Sequence, residues 1–583
     1  MVLKKVFKQI LVSGMALSLL PALSAAAAEA PSASSSPAAA VAAPQAQSKN
    51  VIVLIGDGMG PAQVSAARDY SRHFLNKNHL ELDAYYVGQA TTYADRGEDG
   101  GVMVSGEVTD SASAGTAFAT GHKTYNAGIS VSNEDVSKPF ASVIEASEKV
   151  GKSTGLVTTA RITHATPAVY ASHVRNRDNE AAIASQYLND QSVDVLFGGG
   201  KQFFLSKEEK GKRTDKTIIP DFEAKGYKVV YDKQGLESLG TNDGKALGLF
   251  NSSHVDYVLD RDETVPSLAD MSQKAIELLS QNPNGFTMMI EGGRIDHAGH
   301  SNDFPALVQE ALDFDAAVKV AMDFAKKDGN TSVVVTADHE TGGLSLSRDG
   351  VYEINVDAWD QERQSSELFA AKLKAAKSGE EIKQLVFDNT GFNDLTDEEA
   401  SYIMQGDGTS YTQEGAYNAV IAKRMMVGFT GHGHSAVDVG VWAYGPIADM
   451  VKGQIDNTDI ARAIAKVANV DLEGTTAELQ AQYVYPKFKV TREGATLYPA
   501  RLLSASLGVD VAWDEASKSV VLSKDGNQVG VNVETAKTTW NGAPGSFTAN
   551  MDNGSLWLSL DAFQQLTGKE LPWDALSERI SLK

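Results

Sequence analysis

Val51-Ile52-Val53-Leu54-Ile55, followed at once by Gly56-Asp57-Gly58-Met59-Gly60, decides the fold. Five apolar residues without interruption read as a strand buried on both faces, and the glycine-rich pentapeptide as the polar turn at its carboxyl end. The same wording recurs. Phe286-Thr287-Met288-Met289-Ile290 runs into Glu291-Gly292-Gly293-Arg294-Ile295-Asp296-His297-Ala298-Gly299-His300, and Val333-Val334-Val335-Thr336-Ala337 runs into Asp338-His339-Glu340. A further cluster, Gly431-His432-Gly433-His434, precedes the apolar run Val439-Gly440-Val441-Trp442-Ala443. Between them, Phe140, Val143, Ile144 and Val150 follow helical spacing before a strand at 154–158, and the strand Val193 to Phe197 ends in Gly198-Gly199-Gly200. This alternation predicts an α/β fold with a central, mostly parallel sheet flanked by helices. Ligands gather outside the carboxyl ends of such strands, so the polar clusters are expected to converge.

Val108-Thr109-Asp110-Ser111-Ala112 leads into the small residues Ala112-Ser113-Ala114-Gly115-Thr116-Ala117, which read as a helix start. There Ser111 is a candidate nucleophile, because a phosphate bonded to its oxygen would face unsatisfied backbone N–H groups and the positive end of the helix dipole. The alternative is a plain N-cap. Asp, Glu and His in these numbers, in a chain with no cysteine, are the donors expected for zinc with oxygen-rich partners or for magnesium. Each cluster alone is weak evidence, since a strand-terminal Asp often caps a turn and a single His often completes a hydrogen-bond network.

Taken together, Gly56-Asp57-Gly58-Met59-Gly60, Thr109-Asp110-Ser111-Ala112, Thr120-Gly121, Glu291-Gly292 with Asp296 and His300, Thr336-Ala337-Asp338-His339, and His434 with Tyr444-Gly445-Pro446 resemble the alkaline phosphatase family in wording and order, over roughly residues 49 to 470. The resemblance implies that Ser111 becomes phosphorylated and touches a zinc ion. It assigns Asp296, His300 and His434 to a first zinc, and Asp57, Asp338 and His339 to a second. Asp57 would also reach a third, magnesium-type site with Thr166 and Glu291. From His164-Ala165-Thr166-Pro167-Ala168 and His173-Val174-Arg175-Asn176-Arg177 it makes Arg177 the planar fork that binds the substrate phosphate. Two zinc ions about 4 Å apart can clamp the attacking and leaving oxygens of an in-line displacement.

His164 and His297 stand where some bacterial members have Asp and Lys, while others have His at both. An imidazole in place of a carboxylate makes the third site less selective for magnesium and admits zinc. The reading in which both histidines touch only water and substrate phosphate stays open.

Length and charge agree with an exported enzyme. The 583 residues, 42% apolar and with 51 glycines, exceed one usual domain. The formal charge of −23 argues against nucleic acid or an anionic membrane as partner. Lys4, Lys5 and Lys8, the apolar stretch Ile10 to Leu23 and the small residues around Ser24-Ala25-Ala26 read as a secretory signal over 1–30, followed by a Pro-, Ala- and Ser-rich linker over 31–48. The catalytic domain is expected over 49–472, with a helical insertion at about 360–410. Gly151-Lys152-Ser153 is no phosphate-binding P-loop, because Ala146 stands where its first glycine belongs.

Beyond Tyr485 the chain repeats itself. Gly508-Val509-Asp510-Val511-Ala512-Trp513-Asp514 returns as Gly568-Lys569-Glu570-Leu571-Pro572-Trp573-Asp574, and each copy reads as helix, turn and strand. Residues 485–583 resemble the small domain named after the N-terminal region of copper amine oxidases, although a segment without His or Cys offers copper no site. Carrying none of the inferred ligands, the segment is expected to be dispensable for chemistry, with a linker at Glu473-Gly474-Thr475-Thr476 ahead of it. The expected activity is secreted, metal-dependent hydrolysis of phosphate monoesters. The alternatives are a phosphodiesterase, which an arginine on non-bridging oxygens disfavours, and a cell-wall or polymer-binding protein with a passenger hydrolase. The family resemblance also implies a homodimer.

Overall fold

In the computed structural model, which describes residues 47–99, 102–190, 193–492 and 494–582, the deciding run is a strand at the middle of a ten-stranded sheet. Its strands, in chain order, are β1 (Asn50–Gly56), β2 (Tyr86–Thr91), β3 (Ser153–Arg161), β4 (Val195–Gly199), β5 (Lys228–Val230), β6 (Ala246–Leu249), β7 (Phe286–Gly292), β8 (Thr331–Thr336), β9 (Val439–Tyr444) and β10 (Gly453–Asp456). Their order across the sheet is β10-β2-β9-β8-β1-β7-β3-β4-β6-β5. Neighbours run parallel except at β9, which opposes both β8 and β2. The sheet is therefore mixed, and parallel around its centre.

Every residue of β1 is buried, as a strand covered on both faces by helices requires. Val51, Ile52, Leu54 and Ile55 are fully shielded from solvent, and each such side chain contributes about 1.5–3 kcal/mol of burial free energy. Register does the functional work. Ile55 pairs with Glu291 and with Thr336, and Glu291 pairs with Thr158, so the carboxyl ends of four strands lie side by side.

Two segments differ from the sequence reading, and a third is described only at its end. The signal and most of the linker fall outside the described residues, but Ser48 at the linker's end is already anchored, its hydroxyl 2.8 Å from that of Ser332. The strand placed at Val193 to Phe197 begins two residues later and runs through Gly198-Gly199, because close backbone approach there needs no side chain. Glu473-Gly474-Thr475-Thr476 is no linker. It lies inside the helix Leu472–Gln480, whose N-cap, Asp471, accepts from Gly474 N at 2.9 Å.

The repeat near the C-terminus builds a small strand-rich domain. Each copy's helix, Ala500–Leu507 or Leu560–Thr567, ends at a left-handed glycine, Gly508 or Gly568, as glycine at this cap position allows. Leu503, Val509 and Leu522 from one copy and Phe563, Leu566, Leu571 and Ile580 from the other share one core. Well before the C-terminal domain, residues 366–405 contain three short helices, Ser366–Ala375, Gly379–Thr390 and Asp397–Gln405.

Candidate active site

The strand ends deliver the polar residues to one place. Asp57 follows β1, Glu291 lies within β7, and Asp338 and His339 follow β8. Helix α1 (Ser111–Thr120) starts at Ser111 and is capped by Asp110, whose carboxylate accepts from Ser113 N. Helix α2 (Ala165–Ala171) has His164 as its N-cap and carries Thr166 two residues further on. A helix at Arg294–Ser301 presents Asp296, His297 and His300. It is held from the helix Ser366–Ala375, where Glu367 lies 2.9 Å from the Arg294 guanidinium, which itself stacks on Tyr257. His434 sits on a short strand paired with Glu340–Thr341. At Gly58, with φ of +72°, an added Cβ would meet Thr341 Oγ1 at 2.7 Å and the Asp296 backbone at 2.8 Å. Only glycine fits that turn.

Three donor sets result, each with its atoms within 4.8 Å of one another: Asp296, His339 and His434; Asp57, Asp338 and His339; and Asp57, His164 and Glu291. His300 stands beside the first set, with Nε2 3.3 Å from Asp296 Oδ1 and 3.1 Å from His434 Nε2. Thr166 Oγ1 lies 3.4 Å from Asp57 Oδ2 in the third. Ser111 Oγ is 3.3 Å from His339 Nε2, so the serine borders the first two sets. The His434 and His300 rings are oriented by backbone: His434 Nδ1 lies 2.7 Å from Thr109 O, and His300 Nδ1 contacts His432 O, the arrangement that fixes which nitrogen can face a metal.

The electrostatics ask for cations. Burial, then Asp338, Asp296 and Glu291, push the Asp57 carboxyl far above the usual range. Burial lifts Glu291 to about 7. Burial also disfavours charge on Asp296, yet His300, His434 and His339 hold it well below the ordinary carboxylate range. Asp57 Oδ1, Asp338 Oδ2 and Glu291 Oε1 are buried without a hydrogen-bond partner, and each such atom costs about 1–3 kcal/mol. Divalent cations supply what these oxygens lack, so the donor sets fit the metals that the sequence implies.

Arg177 lies beside the serine's helix. Its Nη1 donates to Asp110 Oδ2 at 3.0 Å and its Nη2 to His164 Nε2 at 3.0 Å. Although burial opposes its charge, Asp110 keeps it firmly protonated. His297 is half-buried next to His164, their ring centres 5.4 Å apart, and belongs to none of the three donor sets.

Two residues escaped the sequence reading. His254 brings its ring centre to 4.1 Å from that of His297 and contacts Arg161. Its signal was present, since it follows the apolar strand β6 just as the other clusters follow theirs, but a lone histidine in Asn251-Ser252-Ser253-His254 drew no attention. Gly199 makes the approach feasible: a Cβ there would meet Ser253 O at 2.0 Å. Thr341 is the second, donating to Asp296 Oδ1 at 2.6 Å.

A mixed sheet flanked by helices, with a serine at a helix start and carboxylates and imidazoles gathered at the strand ends, is the layout of one class of phosphoester hydrolases. Comparison with known proteins defines it. The sequence model of the family "Alkaline phosphatase" matches residues 48–470, and that of "Copper amine oxidase N-terminal domain" matches residues 478–582. Alkaline phosphatase 3 of Bacillus subtilis is 38% identical over 74% of this chain and 91% of its own length. The crystal structure of a cold-active alkaline phosphatase from a psychrophilic Shewanella is 35% identical, with a TM-score of 0.63, over 72% of this chain and 99% of that one. An alkaline phosphatase from the Antarctic bacterium TAB5, in a variant with histidine replaced by aspartate and Mg bound in its M3 site, is 27% identical with a TM-score of 0.52, over 73% of this chain and 99% of that one. The chain belongs to the alkaline phosphatase family, and carries a copper amine oxidase N-terminal domain after the enzyme.

Proposed function

We propose that this alkaline phosphatase hydrolyses phosphate monoesters in two displacements through a phosphoserine at Ser111. Zinc would occupy two sites, Asp296, His300 and His434 in one and Asp57, Asp338 and His339 in the other. Magnesium or zinc would occupy a third at Asp57, Thr166 and Glu291, with His164 at its edge. The observation that carries the reading is the position of Ser111, buried at the start of α1, 3.3 Å from His339 and next in the chain to Asp110, which pairs with Arg177 at 3.0 Å. Bound cations would neutralise the carboxylates, favour the serine alkoxide and polarise the phosphoryl oxygens.

The chain's own groups account for the rest. The Ser111 oxygen attacks phosphorus, the ester P–O bond breaks, and the alcohol leaves with a proton. The phosphoryl group then on Ser111 faces the N–H groups of the helix start, which favour its negative charge. Arg177 holds two non-bridging oxygens, and Asp110 aims its guanidinium. Water then attacks the phosphoserine and returns Ser111 and inorganic phosphate. A diester offers Arg177 one charged oxygen fewer, which favours monoesters. His164 and His297, their ring centres 5.4 Å apart, would contact the substrate phosphate.

Export rests on the basic-then-apolar N-terminus, and the division into a catalytic domain at 49–472 and an appended domain at 485–583 on the repeat. Polymer or cell-wall contact through the appended domain is supported by the strand Asp510–Asp514, exposed along its whole length, with Trp513 half exposed. A homodimer rests on family resemblance alone. Turnover of a phosphate monoester, a diester and a sulfate ester, before and after chelation, tests the reading. Preference for the diester, or turnover insensitive to chelation, would overturn it.

A further inference from the structure

Helix α3 (Glu180–Asn189) begins three residues after Arg177, and both of its ends are gripped by the C-terminal domain. At its start, Asn179 Nδ2 donates to Leu576 O at 2.7 Å, and the Leu576 side chain packs on the core of the catalytic domain. At its end, Arg579 pairs with Asp190 at 2.7 Å. Arg579 is nearly buried, lies over the Tyr483 ring, and is steadied by Asp574 at 3.4 Å. Leu576 and Arg579 belong to a single hairpin, Trp573–Asp574 paired with Arg579–Ser581. One turn of the appended domain thus spans the helix from cap to cap.

The hold extends toward the site along two lines. Glu180, in the first turn of α3, binds the Arg161 guanidinium at 2.7 Å and accepts from Thr163 Oγ1, fixing the turn that leads to His164. On the other side, the strand Tyr483–Pro486 joins the hairpin to the short strand Val136–Ser137 of the catalytic domain. Arg175, two residues before Arg177, contacts Ser137 Oγ and donates to Tyr485 O at 3.4 Å. Tyr485 is fully buried against Tyr125 and Val131, and the Tyr125 hydroxyl donates to Arg175 O at 2.8 Å. Residues 175–180 are consequently held between the catalytic core and the appended domain.

We propose that the C-terminal domain is a positioning element for the phosphate site: the hairpin around Leu576 and Arg579 clasps α3 and so sets the placement of Arg177. The proposal rests on the reading of Arg177 as the phosphate-binding group. The hairpin touches no reacting atom. Its effect runs through the order of one loop, which decides how much of the bidentate arginine geometry is prepaid before phosphate arrives.

The test is a double-mutant cycle in the full chain, reading KM, kcat and the inhibition constant of inorganic phosphate, with melting temperature as a folding check. Asn179→Ala removes one hydrogen bond, and Arg579→Ala one ion pair. Each is expected to raise KM and the phosphate inhibition constant together by about 3- to 10-fold, with kcat changed less than about twofold. Arg579→Lys should recover most of the loss. In an Arg177→Ala background the same substitutions should shift phosphate affinity no further, because interacting residues are not additive. Hydrogen exchange at 173–180 should quicken in Arg579→Ala. Equal shifts with and without Arg177, or no shift from either substitution, would overturn the clasp while leaving Arg177 in its role. An unchanged phosphate constant in Arg177→Ala alone would overturn the reading of Arg177 and the clasp with it.

Discussion

Ser111 Oγ and His339 Nε2 stand 3.3 Å apart although 228 residues separate them in the chain. The contact exists because α1 starts where β8 ends. A serine held by a potential metal ligand at a helix start is placed to become charged and to accept a phosphoryl group. Ser111→Ala should therefore lower kcat at least about 10³-fold with the fold retained. Mass spectrometry of acid-quenched enzyme after exposure to substrate should find phosphate on Ser111, and phosphate only on another residue would refute the assignment.

Removing metal should cost both activity and stability. Asp57, Glu291, Asp296 and Asp338 are all buried within one cluster, and without cations their mutual repulsion opposes folding. Chelation is expected to lower the melting temperature by several degrees or more, and added zinc with magnesium to restore it. Calorimetry on chelated and reloaded protein reads this directly, and an unchanged melting curve would remove the metal sites.

The third site offers a change of metal preference. His164 joins Asp57 and Glu291 in one donor set, and aspartate in its place adds a hard oxygen suited to magnesium. His164→Asp should raise activation by magnesium relative to zinc when both are titrated into the chelated enzyme. Identical activation profiles would separate His164 from the third site.

Stability should fall with rising pH at Asp315, on the helix Phe304–Asp328. Burial lifts its carboxyl to about 6, although Glu81 N and Leu82 N both donate to it. The folded state therefore holds this proton more tightly than the unfolded chain does. Its contribution is fully present below the ordinary carboxylate pKa near 4 and is lost as pH rises through about 6. The loss is on the order of 1–3 kcal/mol. Denaturant titrations between pH 4 and 8 should show the wild type losing stability relative to Asp315→Asn over that window, and parallel curves would contradict it.

Read alone, the sequence determined the class of fold and the cast of the site. Strands buried on both faces need unbroken apolar runs, and the polar residues that end them cannot be hidden elsewhere, so Val51 to Ile55 with Asp57, and Val333 to Ala337 with Asp338 and His339, are legible as strand and edge from composition along a few residues. The glycine that a turn of positive φ demands is legible too, as Gly58 illustrates. Tertiary structure alone decided who meets whom. His254 carries the same local signal as the polar clusters at the other strand ends but declares itself only when β4 and β6 pair and Gly199 lets its loop approach His297. The C-terminal domain carries none of the inferred ligands, the nucleophile or the phosphate-binding arginine, and from its sequence it reads as dispensable. What binds it to α3 is a backbone carbonyl at Leu576 and one arginine at Arg579, and neither differs in sequence from any surface turn. Apolar periodicity is a property of consecutive residues and survives in one dimension, whereas a hydrogen bond between Asn179 and Leu576 depends on the packing of two domains and leaves no local trace.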